Sequence, residues 1–316
     1  MEFDLIARIR RRAASVRGDV VLGIGDDAAL LAMPAGRQLV VTMDALNAGV
    51  HFPAGTDPAD VGWKALAVNL SDLAAMGARP AWCTLSLSLP NADDAWVEAF
   101  LDGFLALAAR HDVALVGGDT TRGPLSACVT AHGLVETGRA LRRDGARAGD
   151  DVWVTGTPGD AAGALAQWQA GGARDPALRA RLDRPTPRIE AGLALAGIAH
   201  AAIDVSDGLL ADLGHVCAAS GVGAEVALDA LPVSAALAAA FDADRRRVLQ
   251  CAGGDDYELC FTAAGGRRDE VAAIAEACGV AMSRIGRIVD GGEVAALERD
   301  GRRWAPPRRG FEHFAG

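Results

Sequence analysis

Carboxylates recur where apolar runs end: Gly23-Ile24-Gly25-Asp26-Asp27, Thr42-Met43-Asp44, Gly117-Gly118-Asp119-Thr120, Asp204-Val205-Ser206-Asp207-Gly208 and Gly253-Gly254-Asp255-Asp256-Tyr257. A sixth stretch, Asn69-Leu70-Ser71-Asp72, lies inside a helical pattern. One Asp after a strand is ordinarily a turn former or a helix cap. So many together are hard oxygen ligands of the kind that Mg²⁺ and the phosphates it bridges require. The chemistry they point to is nucleotide-dependent phosphoryl transfer.

Each stretch also has a plainer reading. Gly23 to Ala28 fits the dinucleotide pattern G-x-G-x-x-A after a strand, and Asp44 falls where a ribose-binding acid would stand. Two adjacent carboxylates would repel a pyrophosphate unless a metal lies between, so metal binding through Asp26 is favoured over a dinucleotide site or a simple turn. Asp72 belongs to a segment, Ala65 to Met76, with few other charges. A carboxylate on such a buried helix needs a partner, and a metal ion is a good one. Asp204 and Asp207 flank Ser206 where a strand hands over to a helix. N-capping by Ser206 or Asp207 explains one of these acids but not both. A helix N-terminus also favours phosphate oxygens, which makes Ser206 a candidate nucleotide contact. Gly117-Gly118-Asp119 combines close backbone approach with a metal-holding acid. Arg143 is either a phosphate clamp or an ordinary surface cation.

Several alternatives have no residues to support them. There is no G-x-x-x-x-G-K-[ST] loop and no protein-kinase H-R-D or D-F-G set. Lys64 is the only lysine, so charge neutralisation falls to metal ions. The scattered histidines form no Ser–His–Asp arrangement. An acceptor that is itself a phosphate needs no histidine base, since its second pKa of about 6 leaves it ionised at neutral pH.

The elements that must carry these residues follow from periodicity and breakers. Helices are predicted over 3–14, 57–76 (Val61, Ala65, Val68 and Leu73 at helical spacing, then Gly77 and Pro80), 93–110, 160–169, 189–200, from 207 through Ser220, and 269–278. Strands are predicted at 20–24, 39–42, 82–89, 113–116, 127–135, 152–155, 203–207, 224–228 and 258–262. Residues 177–188 read as a Pro- and Arg-containing connector, and a hairpin turning at Asp290-Gly291-Gly292 is expected to close the chain. Strict βαβ alternation is absent, so an α+β fold of two domains is expected, divided in the basic, Gly-rich segment 138–150. Acid-bearing loops in both halves point to a site between them.

With 316 residues, 51% hydrophobic and 23% charged, the chain has material for more than one core. A net charge of −10 argues against a nucleic-acid surface but not against a metal-bound phosphate. The Arg pairs and triplets (Arg10 to Arg12, Arg245 to Arg247, Arg302 with Arg303, Arg308 with Arg309) read as solvated faces. Six cysteines without C-x-x-C spacing read as free thiols of a reducing compartment. No signal layout or apolar run of about 20 residues appears, so no membrane span is expected and a cytoplasmic location is.

Taken in order, these motifs resemble those of the thiamine-monophosphate kinase family. That family is grouped with aminoimidazole ribonucleotide synthetase, selenophosphate synthetase and a hydrogenase-maturation protein. The most specific pieces are Gly23 to Ala28, Asn47-Ala48-Gly49-Val50-His51-Phe52, Asn69 to Gly77 and Gly254-Asp255-Asp256-Tyr257-Glu258-Leu259, within a likeness running from Gly23 to about Phe314. The resemblance implies two α/β domains of the synthetase-like type, 1–140 and 141–316. The first would bind ATP and Mg²⁺ and pair its sheet across a homodimer; the second would close over nucleotide and substrate. It implies Mg²⁺ ligands at Asp26, Thr42, Met43 (through its backbone carbonyl), Asp44, Asp72, Asp119, Asp204 and Asp207, with Asp44, Asp72 and Asp119 central to catalysis. ATP contacts are implied at Gly118, Asp119, Arg143 and Ser206, and substrate contacts at His51, Asp255 and Phe311. Two positions depart from the family pattern: Asp255 stands where Glu is usual, and Met43 where a hydroxyl residue is frequent.

The implied activity is transfer of the γ-phosphoryl of ATP to thiamine monophosphate, with several Mg²⁺ ions. Selenophosphate synthetase would need a reactive Cys near the N-terminus, whereas the first here is Cys83. The hydrogenase protein ends in Cys, whereas this chain ends in Gly316. An aminoimidazole ribonucleotide synthetase-like ligase and a non-catalytic nucleotide-binding module stay as alternatives. The density of acids disfavours the module.

Overall fold

The computed structural model describes residues 2–13, 17–172, 174–308 and 310–312. Ala14, the end of the predicted first helix, Arg309 of the Arg308–Arg309 pair, and the tail 313–316 lie outside the described residues. The chain divides into two units, Met1–Leu73 with Ala78–Gly138, and Ala74–Gly77 with Arg139–Gly316.

The first unit runs α1 (Glu2–Arg12), β1 (Val20–Leu22), β2 (Leu30–Leu31), β3 (Arg37–Asn47), α2 (Pro58–Ala75), β4 (Arg79–Leu89), α3 (Asp94–Arg110), β5 (Ala114–Arg122) and β6 (Ser126–Glu136). Its main sheet has the order β3-β6-β4-β5, in which only β4 and β5 are parallel. The helix α2 is apolar almost all round, with Leu66, Leu70 and Leu73 fully buried, as a core helix should be. The helix α3 starts where the side chain of Asp93 accepts from the amides of Ala95 and Trp96, as its polar-then-apolar start predicts. The open face of β3 alternates differently: Leu39, Val41 and Met43 are 46%, 55% and 64% exposed.

Two strands are longer than their apolar runs. β3 pairs residue for residue with β6 from Arg37↔Glu136 to Asn47↔Ser126, so Met43 and Asp44 lie within a strand, not in a loop after it. Likewise Gly117-Gly118-Asp119 lies inside β5, because β4 continues alongside as far as Leu89↔Arg122. Ladder pairing, which propensity cannot see, carries the polar ends into the sheet. At the other extreme, β1 stops at Leu22, two residues short of its prediction.

The second unit runs β7 (Asp150–Thr155), α4 (Asp160–Gln169), α5 (Pro176–Asp183), α6 (Ile189–Leu195), β8 (Ala201–Val205), α7 (Leu209–Ser220), β9 (Gly223–Ala227), α8 (Ala235–Ala240), α9 (Ala243–Ala252), β10 (Glu258–Ala264), α10 (Arg268–Cys278), β11 (Met282–Val289), β12 (Val294–Leu297) and β13 (Arg303–Trp304). Its seven-stranded sheet has the order β13-β12-β9-β11-β7-β10-β8. Buried Val152, Val154, Ile203, Val205, Leu213 and Ile285 belong to the core between this sheet and α7.

Three expectations are corrected here. The connector over 177–188 contains a helix, α5: Asp175 caps it and Pro176 occupies its first turn, where a missing amide costs nothing. The predicted helix 189–200 ends at Leu195, since Ala196 is extended and Gly197 adopts φ 91°. The closing hairpin does not form. β11 and β12 are separated by β9, with which β12 pairs in parallel and β11 antiparallel.

Candidate active site

In the first unit, β3 and α2 place four of the predicted residues. Thr42 and Asp44, two apart on a strand, share one face, and Met43 takes the other. The Thr42 hydroxyl donates to Asp72 Oδ2, and Asn69 Oδ1 accepts the Asp44 amide at 3.0 Å. Asn69 and Asp72, three apart on α2, address the same strand. Asn69 is fully buried, and its amide nitrogen donates to the Ala65 carbonyl at 3.0 Å, which fixes which end of the amide meets Asp44. Asp72 itself is only half-buried, against the expectation of a buried carboxylate: the helix is buried, but this position looks out of it.

Asp119 and Asp44 stand on the opposite edges of the four-stranded sheet. The residue row Asp44–Val129–Leu85–Gly118 crosses all four strands, and Asp119 lies in the next row. Three strand spacings amount to about 14 Å, too far for one cation to touch both carboxylates. Gly118 adopts φ 150°, and a Cβ there would lie 1.9 Å from the Leu85 carbonyl oxygen, so only glycine fits. A groove with apolar Ile6, Ile9, Ile24 and Leu115 leads to Gly118 and Asp119. Asp26 is exposed and accepts from the Asp27 amide at 2.9 Å.

His51 lies in a turn anchored from two sides. Its Nδ1 accepts the Asn47 amide at 2.9 Å, so the neutral ring carries its proton on Nε2. Buried Lys64 donates to the His51 carbonyl at 3.0 Å, which gives the chain's one lysine a structural task.

In the second unit, the loop after β8 gathers several predicted residues. Asp204 is buried within β8, and Ser206 and Asp207 are half-buried beyond it. The amides of Asp255 and Tyr257 donate to the carbonyls of Ser206 and Val205, both at 2.8 Å, and the Phe311 amide donates to that of Asp207 at 2.9 Å. Asp255 and Tyr257 hold φ of 68° and 51°, uncommon for non-glycine residues. Tyr257 donates its hydroxyl to Asp255 Oδ1 at 3.0 Å. The Phe311 side chain is 48% exposed.

Neither Ser206 nor Asp207 caps α7, contrary to expectation. The capping residue is Gly208, which has no side chain to do so, and the amides of Ser206, Asp207 and Gly208 all donate to Asp212 Oδ2. Burial pushes the Asp212 carboxyl up to about 7, while the three amides pull it down and Asp207 pushes it further up. The backbone of Arg143 stands apart from this loop. Its carbonyl accepts from Ser220 at the far end of α7, about 18 Å from the Ser206 end.

Behind the loop lies a charged cluster that sequence reasoning missed. Fully buried Glu258 accepts from Nε and Nη2 of Arg188 (2.6 and 2.5 Å), the Arg181 guanidinium and the Thr155 hydroxyl (2.5 Å). Beside it, burial pushes the Asp256 carboxyl well above the carboxylate range, and its Oδ2 accepts from the Gly159 amide at 2.7 Å.

Asp26, Thr42, Asp44, Asp72, Asp119, Asp204 and Asp207 offer only hard oxygen donors, which suit Mg²⁺ and not zinc. Among the described residues, no three His, Cys, Asp or Glu side chains already form a metal cage. Mg²⁺ characteristically takes one or two carboxylates and completes its shell with water and substrate phosphates, so the donor set fits. The cysteines are chemically quiet: burial pushes Cys217 to about 11 and Cys251 to about 12.

Residues 25–135 match the family model for the AIR synthase related protein N-terminal domain, and residues 147–297 that for its C-terminal domain. The chain is 49% identical to the thiamine-monophosphate kinase of Salmonella typhimurium, over 99% of this chain and 98% of the relative. A crystal structure of thiamine-monophosphate kinase from Stenotrophomonas maltophilia superposes with a TM-score of 0.89 at 59% identity, covering 96% of this chain and 98% of that one. AaThiL complexed with AMPPCP and TMP superposes with a TM-score of 0.79 at 33% identity, covering 99% and 97%.

Proposed function

Because the chain belongs to the thiamine-monophosphate kinase family, we propose that it transfers the γ-phosphoryl of ATP to thiamine monophosphate, giving thiamine diphosphate and ADP. The observation that carries this reading is the full-length match to kinases of that name, with acid or hydroxyl donors at Asp26, Thr42, Asp44, Asp72, Asp119, Asp204 and Asp207. AMPPCP and TMP, the molecules bound to the related AaThiL, are of the two kinds the reaction joins.

Asp44, Asp72 and Asp119 are proposed as the central acids, with Asp26, Thr42, the Met43 carbonyl, Asp204 and Asp207 completing the Mg²⁺ ligands. Bound at those residues, magnesium would supply charge neutralisation for the transferred and accepting phosphates. A separation of about 14 Å between the Asp44 and Asp119 strands supports more than one ion. The chain's own residues position the reactants. Asn69 orients the Asp44 backbone, and Thr42 directs the Asp72 carboxylate. Gly118 brings backbone close to the nucleotide, while Ser206 and Arg143 contact it at separate points. His51, Asp255 and Phe311 hold the acceptor, the first donating to its phosphate and the last stacking on its rings. Asp255 also draws on Tyr257, which braces its shorter side chain. The acceptor attacks directly, its oxygen already anionic, so no side-chain base or phosphoenzyme is needed.

A homodimer formed through the first unit's sheet is supported by Leu39, Val41 and Met43, exposed along one face of the edge strand β3. No helix among the described residues is long and apolar enough to cross a membrane. A cytoplasmic site of action, with ATP and thiamine monophosphate as small-molecule partners, completes the reading.

The deciding assay offers ATP with either thiamine monophosphate or formylglycinamidine ribonucleotide and measures ADP. ADP formed only with thiamine monophosphate is expected; the reverse would favour the ligase, and none with either a binding module. Transfer from chiral γ-phosphate should proceed with inversion. Retention, or label left on the protein by ATP alone, would refute direct attack.

A further inference from the structure

The backbone of the loop Ser206–Gly208 is fully committed within the protein. Its three amides donate to one oxygen, Asp212 Oδ2, at 3.1, 3.1 and 3.0 Å. Its carbonyls accept from Asp255 (2.8 Å), Phe311 (2.9 Å) and Asp212 (2.9 Å), and that of Val205 accepts from Tyr257 (2.8 Å). Three successive amides turned to one point form a nest for an anion. Here the anion is the chain's own carboxylate, 2% exposed on the first turn of α7. The nest is therefore closed to a phosphate, and the loop meets a ligand through the side chains of Ser206 and Asp207 and not through its amides.

We propose that Asp212 is a positioning residue for both halves of the reaction. Its carboxylate fixes the loop whose outer side carries Ser206 and Asp207, the nucleotide and metal contacts, and whose carbonyls hold the Asp255 and Phe311 backbones, the acceptor contacts. Among the described residues of this unit, no other side chain bonds to all three amides of that loop. The ligand identities rest on the proposed kinase reading; the geometry of the loop does not. The three amides favour the charged form of Asp212 against its burial; Asp212→Asn keeps the shape, but its neutral oxygen holds them less tightly than that charged form does.

The test compares wild type, Asp212→Asn and Asp212→Ala by three measurements. Amide hydrogen exchange on the ligand-free protein should show faster exchange confined to residues 204–212 and the segments around 255 and 311. AMPPCP titration should show about tenfold weaker binding for Asp212→Asn, the scale of one charge-assisted hydrogen bond lost. Steady-state assays should show the KM values for ATP and thiamine monophosphate rising together, whereas a change at Phe311 raises one alone. Unchanged AMPPCP affinity and both KM values in Asp212→Asn, with only a lower melting temperature, would reduce Asp212 to a structural acid and overturn the proposal. If Asp212→Ala fails to fold, Asp212→Asn decides. Should wild type not phosphorylate thiamine monophosphate, the kinase reading fails, while exchange and AMPPCP binding still judge Asp212.

Discussion

Replacing Glu258 by Gln removes a charge from the centre of the second unit while keeping its shape. The carboxylate is wholly buried and answers two guanidiniums and a hydroxyl, and the side chains of Arg181 and Arg188 are only 21% and 17% exposed. A glutamine supplies one acceptor oxygen in place of two, and turns an NH₂ group toward a guanidinium that also only donates. Two largely buried cations then lose their counter-charge, a change that costs about 3–5 kcal/mol. For a unit of this size, ~2–4 °C is lost per kcal/mol, so its melting transition should fall by roughly 6–20 °C. Calorimetry at neutral pH measures this, and added salt should change the difference little, because the pair is shielded from solvent. Exchanging an exposed pair such as Arg8–Asp94 supplies the control, with an expected loss of about 0–1 kcal/mol. A Glu258→Gln loss no larger than that of the control would refute the reasoning. It would mean that the cluster relaxes or hydrates when the charge is removed.

Asp256→Asn, two residues away, should act in the opposite sense. Burial raises the folded-state pKa of Asp256, so as pH rises past about 4 the unfolded chain loses a proton that the folded chain keeps, and wild type loses stability. The variant escapes this penalty, so its melting temperature relative to wild type should climb between pH 5 and pH 8; a constant or shrinking difference would contradict the assignment. Asp72→Asn should fold normally yet lose activity by orders of magnitude at every Mg²⁺ concentration, and recovery with added Mg²⁺ would exclude a bridging role. Phe311→Ala should raise KM for thiamine monophosphate with little change for ATP, since its exposed ring offers stacking worth about 1 kcal/mol. An equal rise for ATP would move Phe311 to the nucleotide.

Where information in the chain is local, the fold was readable in it. The helical spacing of Val61, Ala65, Val68 and Leu73 matches α2, and the strand predicted at 82–89 falls within β4, because a buried face imposes its own period. The acid motifs were legible for the same reason: a glycine beside a carboxylate is a local signature. Strand pairing is not local. Nothing in Asp290-Gly291-Gly292 distinguishes a hairpin from a turn that steps across β9, and only the parallel ladder Val294↔Ala224 to Leu297↔Ala227 decides it. The polar ends of β3 and β5 were hidden likewise, since Asp44 and Asp119 have low strand propensity and are held there by neighbours.

The missed cluster around Glu258 is polar and draws on distant partners. Arg181, Arg188 and Thr155 lie 77, 70 and 103 positions from Glu258, so no window of sequence contains the cluster. A weaker signal was nonetheless present. Glu258 opens the apolar run Leu259-Cys260-Phe261, and Asp212 falls on the apolar face marked by Leu209, Leu213 and Val216. An acid at such a position must be ionised and paired or held neutral, and either state is expensive without a purpose. Glu258 takes the first course with two arginines, and Asp256 the second. Asp212 answers with three amides of the loop immediately before its helix, a partner set only four to six residues away. Of the buried acids it was therefore the one within reach of sequence reasoning: a lone Asp on an apolar helix face, following a Ser-Asp-Gly turn whose amides need an acceptor.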